Sequence, residues 1–256
     1  MLNKVNVDTQ LEMVVAALEH NYSKAEFVRR YGKDAAAKAR MLFGMGDGNH
    51  SLAAAKKYWE SLKEKKVAMD HPARYALVEI NNVHDEGIVF EPIHRLLKNV
   101  PDVEALKQHI VSFLNNEDAN ENPTRQSAYF SSEMANIADD VHAIRFWHQG
   151  QQNEHLLVLN PKRVLAVASL QAALEHYEVL VQESADDFSI DYIHGTEDIH
   201  SYTSQGGQHV GFTLPKMDKN ELFKTVVFDG VLPKKTFSMG GADEKRFYCE
   251  LRKIKL

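Results

Sequence analysis

Gly46-Asp47-Gly48-Asn49-His50-Ser51 follows the short apolar run Met41-Leu42-Phe43 and opens a segment with apolar residues at helical spacing, Leu52, Ala55, Trp59 and Leu62. This order predicts a strand at residues 41–43, a tight turn, and an amphipathic helix. The first backbone N–H groups of such a helix lack internal partners and its dipole favours negative charge, so the turn is a place where a chain can hold phosphate. Gly46 and Gly48 let the backbone come close, and Asn49, His50 and Ser51 add side-chain donors. An ordinary helix start, capped by its Asp or Asn, fits the same residues.

Working outward, the rest of the chain reads as helices and strands without an internal repeat. Asp8 starts a helix through about Leu18, and Ser23 with Glu26 forms a capping box for a second helix that Gly32 stops. Residues 73–80 are almost continuously apolar apart from Glu79, the pattern of a central, buried strand. A strand at Ile88 to Phe90 runs into Glu91-Pro92-Ile93-His94-Arg95. A helix at 102–114 precedes a polar loop at 115–126. Ile144, Phe146 and His148 alternate before Gly150, with Leu156 and Val158 beyond it, which predicts a hairpin. Leu170, Ala173, Leu174, Tyr177 and Val181 mark a helix, strands follow at 190–193 and 210–214, a helix ends near Phe228, and Phe247, Cys249 and Leu251 alternate in a last strand. The expected fold class is α+β, a mixed sheet with flanking helices and a C-terminal α/β region. The domains expected are a phosphate- or nucleotide-binding region at 1–114 and an α/β region at 127–256, or one continuous domain.

Composition narrows the function classes. With 256 residues, 44% hydrophobic and 26% charged, the chain has the make-up of a globular protein. Lys plus Arg number 30 against 36 Asp plus Glu, a formal charge of −6, so no general attraction to a nucleic-acid backbone is expected. Cys249 is the only cysteine, which excludes an intrachain disulfide and a multi-cysteine zinc site; its place in an alternating pattern suits a core residue. The first residues have no apolar signal core and no run is long enough to span a membrane, so a cytoplasmic protein is expected.

Two further clusters could carry chemistry. Glu91, His94 and Arg95 fall within five residues: Arg95 could grip phosphate or carboxylate with two hydrogen bonds, and His94 could move a proton near neutral pH. An internal Glu91–Arg95 ion pair fixing a corner is the structural alternative. Lys234, Lys235, Thr236 and Ser238 gather lysines and hydroxyls that could receive phosphate, or form a solvated loop. Among the 13 histidines, neither His84-Asp85-Glu86 nor the group His194, Glu197, Asp198 and His200 has the H-E-x-x-H spacing, so no dedicated transition-metal site is expected. The G-x-S-x-G, G-x-x-x-x-G-K-[ST] and G-x-G-x-x-G signatures are all missing.

Taken in order, G-D-G-N-H-S-L-A-A-A-K, H-P-A-R-Y-A-L-V-E-I, F-E-P-I-H-R-L-L, D-Y-I-H-G and G-V-L-P-K-K-T-F-S-M-G resemble the bacterial and archaeal family of unknown function DUF1015, from about Met41 to the C-terminus. In many relatives the turn reads D-G-H-H-R, which is similar to the phosphate-contacting box of the ParB and sulfiredoxin superfamily. That superfamily includes nucleotide-binding partition proteins, an ATP-dependent enzyme acting on a sulfinic acid, and free-serine kinases. Here Asn49 stands in place of the first His and Ser51 in place of the Arg. Relatives carry a longer region ahead of the turn, and in the serine kinases a catalytic carboxylate lies there.

The resemblance implies a nucleotide- or phosphometabolite-binding domain and, as its reaction class, small-molecule phosphotransfer to an amino-acid-like acceptor. Asp47, His50 and His94 are the candidate catalytic residues. Gly46, Gly48, Asn49, Ser51, Arg95, Lys234 and Lys235 are the candidate phosphate ligands. Magnesium is expected only as the nucleotide's companion. The partner class is an anionic small molecule, with neither nucleic acid nor membrane. The opposing expectation is a non-catalytic regulatory or ligand-binding module, or a fragment of a larger enzyme.

Overall fold

The computed structural model of the chain describes residues 8–46, 48–117, 125–134, 141–182, 185 and 187–239. These divide into two compact units, one ending at Asp85 and the other starting at Glu86. Among the described residues no helix is long and apolar enough to cross a membrane.

The regular elements among the first unit's described residues are all helices. Helix α1 spans Asp8–Tyr22 and α2 spans Lys24–Tyr31. Ser23 caps α2 by accepting the Glu26 N–H at 3.2 Å, and Gly32 closes it with φ at 85°. Glu26 is buried and accepts from both Arg29 and Arg30 at 2.6 Å, and these bonds hold its carboxyl down at about 2. Phe27 packs edge-on against Tyr31 with ring centroids 5.0 Å apart. Helix α3 spans Asn49–Glu64, which realises the helix expected after the glycine turn.

Two expected strands of this unit are not there. Residues 41–43 form an irregular link, and residues 73–80 begin in a 3-10 turn, Pro72–Arg74, and continue as exposed irregular chain with Leu77, Val78 and Ile80 at the surface. The physical reason is that a strand exists only as part of a ladder. Among its described residues this unit has no strand to pair with, so the apolar run keeps its composition without the burial it signals. The last strand expected around Phe247, Cys249 and Leu251 lies outside the described residues.

The second unit is built on one seven-stranded sheet. Its strands are β1 (Phe90–Lys98), β2 (Ser127–Ser131), β3 (Val141–His148), β4 (Gln151–Leu159), β5 (Ser189–His194), β6 (Val210–Thr213) and β7 (Phe237–Met239). The order is β2-β4-β3-β6-β1-β5, and β7 pairs with the first residues of β1. The mixed sheet and α/β region are therefore corrected: every described pairing is antiparallel. Helices and strands do alternate along the chain, but β1 inserts between β5 and β6 and pairs antiparallel with both, so their connection never makes a parallel neighbour.

The expected hairpin is β3–β4. Its two-residue turn places Gln149 at φ 53° and Gly150 at φ 70°, the paired positive φ values whose twist suits a tight hairpin. Helices α4 (Val103–Asn116) and α5 (Ala166–Val181) cover one face and α6 (Thr196–Ser204) packs against the sheet as well. Asp102 caps α4 through the Ala105 N–H at 3.0 Å. A further helix, α7 (Lys219–Phe228), starts with a complete capping box of Asp218 and Glu221. Leu106, Ile110 and Leu114 of α4 and Leu170 and Leu174 of α5 are fully buried with Leu97, Ile144 and Leu156. A row of edge-to-face rings, Phe130–Phe146–Phe212 with 5.3 Å centroid spacings, runs across three strands, each pair worth about 0.5–1.5 kcal/mol beyond its buried area.

His142 ties this sheet to α5. Its Nδ1 lies 3.1 Å from Ser169 Oγ and its Nε2 lies 3.2 Å from the Val164 carbonyl, a pairing that a neutral ring satisfies at both nitrogens. Burial, aided by Arg163, pushes its pKa down to about 4. An unfolded histidine takes a proton near 6.5 while the folded one resists until about 4, so the stabilisation is complete above 6.5 and is lost as pH falls through that window. Urea unfolding followed by Trp147 fluorescence in a Trp59→Phe background is expected to show a loss of stability between pH 7.5 and pH 5 that His142→Gln makes smaller by about 2 kcal/mol, the buried His94 contributing to what is left. An unchanged pH dependence in that variant would contradict the assignment.

Candidate functional site

Helix α3 begins on Gly48, which sits in the left-handed region at φ 75° and ψ 18°. An L side chain there would be strained, although nothing lies within 4 Å of where a Cβ would stand. Gly48 has no side chain with which to cap the helix, and its carbonyl accepts the Leu52 N–H at 2.9 Å. Asn49, His50 and Ser51 form the first turn and are exposed. That turn contains no acidic residue. Among the described residues their side chains make no hydrogen bond, so amide, imidazole and hydroxyl all face solvent beside the positive end of the helix dipole. Gly46 is exposed, and Asp47 lies outside the described residues.

The cluster Glu91, His94 and Arg95 lies inside β1 rather than after a strand, with a different consequence for each side chain. Neighbours in a strand point to opposite faces. Arg95 reaches Gln171 on α5, whereas His94 reaches Thr196 on α6, so the two do not converge on one cleft. Glu91 pairs with Lys216 at 3.1 Å, not with Arg95.

Arg95 is the largest fully buried side chain of the described residues, at 0% exposure. Its Nε donates to Gln171 Oε1 at 2.7 Å, Nη1 to the Ile93 carbonyl at 2.7 Å, and Nη2 to the Lys234 carbonyl at 3.2 Å. The Tyr192 ring faces the guanidinium at 4.6 Å. Gln171 in turn donates to Glu175 Oε1 at 3.1 Å, so one amide side chain links the buried cation to a carboxylate at the surface. Burial lowers the pKa of Arg95 to about 10 while Tyr192 and Glu175 oppose that shift; the group remains a cation at neutral pH. Its N–H groups are engaged within the fold, where they join strand, helix and turn.

His94 is also buried. Its Nδ1 accepts the Leu214 backbone N–H at 3.1 Å, and its Nε2 lies 3.5 Å from Thr196 Oγ1. Burial, with Arg95, His194 and Arg145 nearby, pushes its pKa down to about 4. Taking a proton at Nδ1 would break the bond to Leu214, so His94 is held as a neutral acceptor.

Lys234 and Lys235 form a turn in which Lys235 is left-handed at φ 56°. Thr236 Oγ1 donates to the Pro233 carbonyl at 2.7 Å, and Phe237 stacks on Phe90 with 4.2 Å between centroids. The structure thus joins the second and third clusters through the Lys234 carbonyl and leaves both lysine side chains exposed. Gln171 and Tyr192 were not singled out by sequence reasoning. The available signal for Gln171 was a lone amide within the otherwise apolar run 170–174 of α5. Among the described residues no group of three or more metal-ligating side chains forms, and Cys249 lies outside them.

A model of the family described as Protein of unknown function (DUF1015) matches residues 2–191. The match includes the glycine turn, His71 to Ile80 and all of β1, and stops before the Lys234–Lys235 turn. No curated protein and no solved structure matches the chain.

Replacing Arg95 with Met keeps the bulk and removes every donor, leaving Gln171 Oε1 and the Lys234 carbonyl without that partner. The expected cost is about 3–5 kcal/mol in urea unfolding of the second unit. A loss below about 1 kcal/mol would mean that the guanidinium is dispensable to the fold.

Proposed function

Because the chain belongs to the DUF1015 family, whose description names no activity, we propose its function from the turn: it binds a phosphate-bearing small molecule or nucleotide at Gly46, Gly48, Asn49, His50 and Ser51. The observation that carries this reading is the start of α3 on a left-handed glycine, with three exposed polar side chains and no acid in its first turn. The backbone N–H groups and the dipole attract the anion, worth about 0.3–1 kcal/mol for a single exposed charge and more with convergent donors. Ser51 Oγ and the Asn49 amide add neutral hydrogen bonds, and the His50 imidazole adds a ring N–H donor.

The reaction class proposed is phosphotransfer to a small, amino-acid-like acceptor, which rests on the similarity of this turn to that of the ParB and sulfiredoxin superfamily. In such chemistry the protein positions the phosphates and offsets their charge. His50 and Asp47 are the candidate proton acceptors, since His94 is engaged with Leu214. Magnesium enters with the nucleotide, and Asp47 is the only carboxylate within the motif. Lys234 and Lys235 belong to the other unit, and no part of the site at the turn is assigned to them. The formal charge of −6 supports a small anionic ligand over nucleic acid.

Thermal unfolding with ATP, ADP, CTP or pyrophosphate, each with magnesium, tests this against a His50→Ala, Ser51→Ala variant. Ligand at about a hundred times its dissociation constant adds roughly 2.7 kcal/mol, a rise of several degrees. The parent should shift and the variant should not. An equal shift in both, or none with any ligand, would overturn the reading; binding without turnover toward serine-like acceptors would leave a binding module and remove the transferase.

A further inference from the structure

His109 on α4 and His176 on α5 meet across the two helices that cover one face of the sheet. His109 Nε2 and His176 Nδ1 lie 3.2 Å apart. Their rings are within 16° of parallel, with centroids 5.0 Å apart. Phe113 stands beside both, 6.3 Å from His109 and 5.1 Å from His176, and Tyr177 lies 5.3 Å from His109. Aromatic rings therefore flank the pair, while His176 is exposed. Elsewhere the two helices bury aliphatic side chains such as Leu106, Ile110, Leu170 and Leu174, so two facing imidazoles are not what packing requires.

The separation of the two nitrogens is the bite of a metal ion. Two metal–nitrogen bonds of about 2.0–2.1 Å at a near-tetrahedral angle place their nitrogens about 3.3 Å apart. The neutral imidazole is the form that ligates a metal. We propose that His109 and His176 form a two-imidazole site for a divalent transition metal of the Zn²⁺, Ni²⁺ or Cu²⁺ class. The ion replaces the shared N–H···N hydrogen bond with two metal–nitrogen bonds. Whichever ring carries the shared proton takes it up again at its other nitrogen through solvent, so both rings stay neutral and no net proton is released. Water completes the coordination shell, because no third ligating side chain joins the pair among the described residues. Affinity should rank Cu²⁺ above Ni²⁺ and Zn²⁺, and Mg²⁺ should not compete.

The test is calorimetric titration of the untagged full chain with NiCl₂ at pH 7.5, beside His109→Gln, His176→Gln and the control His200→Gln. Cu²⁺ electron paramagnetic resonance reports the nitrogens bound. The parent and the control should bind one Ni²⁺ in the strongest class of sites, each variant should lose affinity by about tenfold or more, and the Cu²⁺ spectrum should show two imidazole nitrogens. His176 is exposed, so His176→Gln should keep the parent's unfolding midpoint and separate lost ligation from lost fold. Overturning results are affinity within about twofold of the parent in either variant, absence of Ni²⁺ binding below millimolar concentration in the parent, or a spectrum with one nitrogen.

Discussion

A buried cation sets the terms for the second unit. Arg95 sits at 0% exposure on the strand that pairs with β5, β6 and β7. A guanidinium there is tolerable only if its donors are engaged, because an unpaired buried charge costs several kcal/mol. Gln171, the backbone of β1 itself and the Lys234 carbonyl meet that demand from a helix, a strand and a turn. Tyr192 supplies a ring face and Gln171 passes the interaction on to Glu175. The requirement therefore fixes where α5 lies against β1 and where the turn before β7 approaches.

This constraint also redistributes the chemistry. Phosphate binding by Arg95 would compete with bonds that hold α5 and the Lys234–Lys235 turn in place, and His94 is committed to the Leu214 backbone. The start of α3, in the other unit, presents polar groups to solvent at a favourable potential. Ser51 and Asn49 are neutral donors, so the helix end supplies the positive potential that a basic side chain would otherwise provide. The reading is of an anion site made mainly of backbone, with His50 as its one titratable donor among the described residues.

Local signals were legible in the sequence wherever the physics is local. Ser23, Asp102 and the Gln149-Gly150 turn each specify a cap or a hairpin within a few residues, and each is present, whereas the Glu26 half of the expected capping box does not form because its carboxylate is taken by Arg29 and Arg30. The glycine turn likewise leads into α3 as its spacing predicts. Signals that depend on distant partners misled: residues 73–80 have the composition of a buried strand without a ladder, and the helix–strand alternation suggested parallel neighbours that β1 separates. The divergence of His94 and Arg95 was latent in the two-residue period of a strand. The partners of Arg95 were not, since Gln171 and Lys234 lie 76 and 139 residues away. The same holds for His109 and His176, 67 residues apart.

The central claim is that anion recognition resides at the start of α3 while the histidine and arginine of β1 serve the fold. Titrating the isotope-labelled full chain with pyrophosphate and magnesium, and following backbone amide and arginine Nε resonances, addresses both halves at once. The account predicts saturable shifts confined to Gly46, Gly48, Asn49, His50, Ser51 and their immediate neighbours, with the Arg95 Nε resonance and the Lys234 amide unmoved. Shifts at Arg95 and Lys234 with a silent α3 terminus would contradict it.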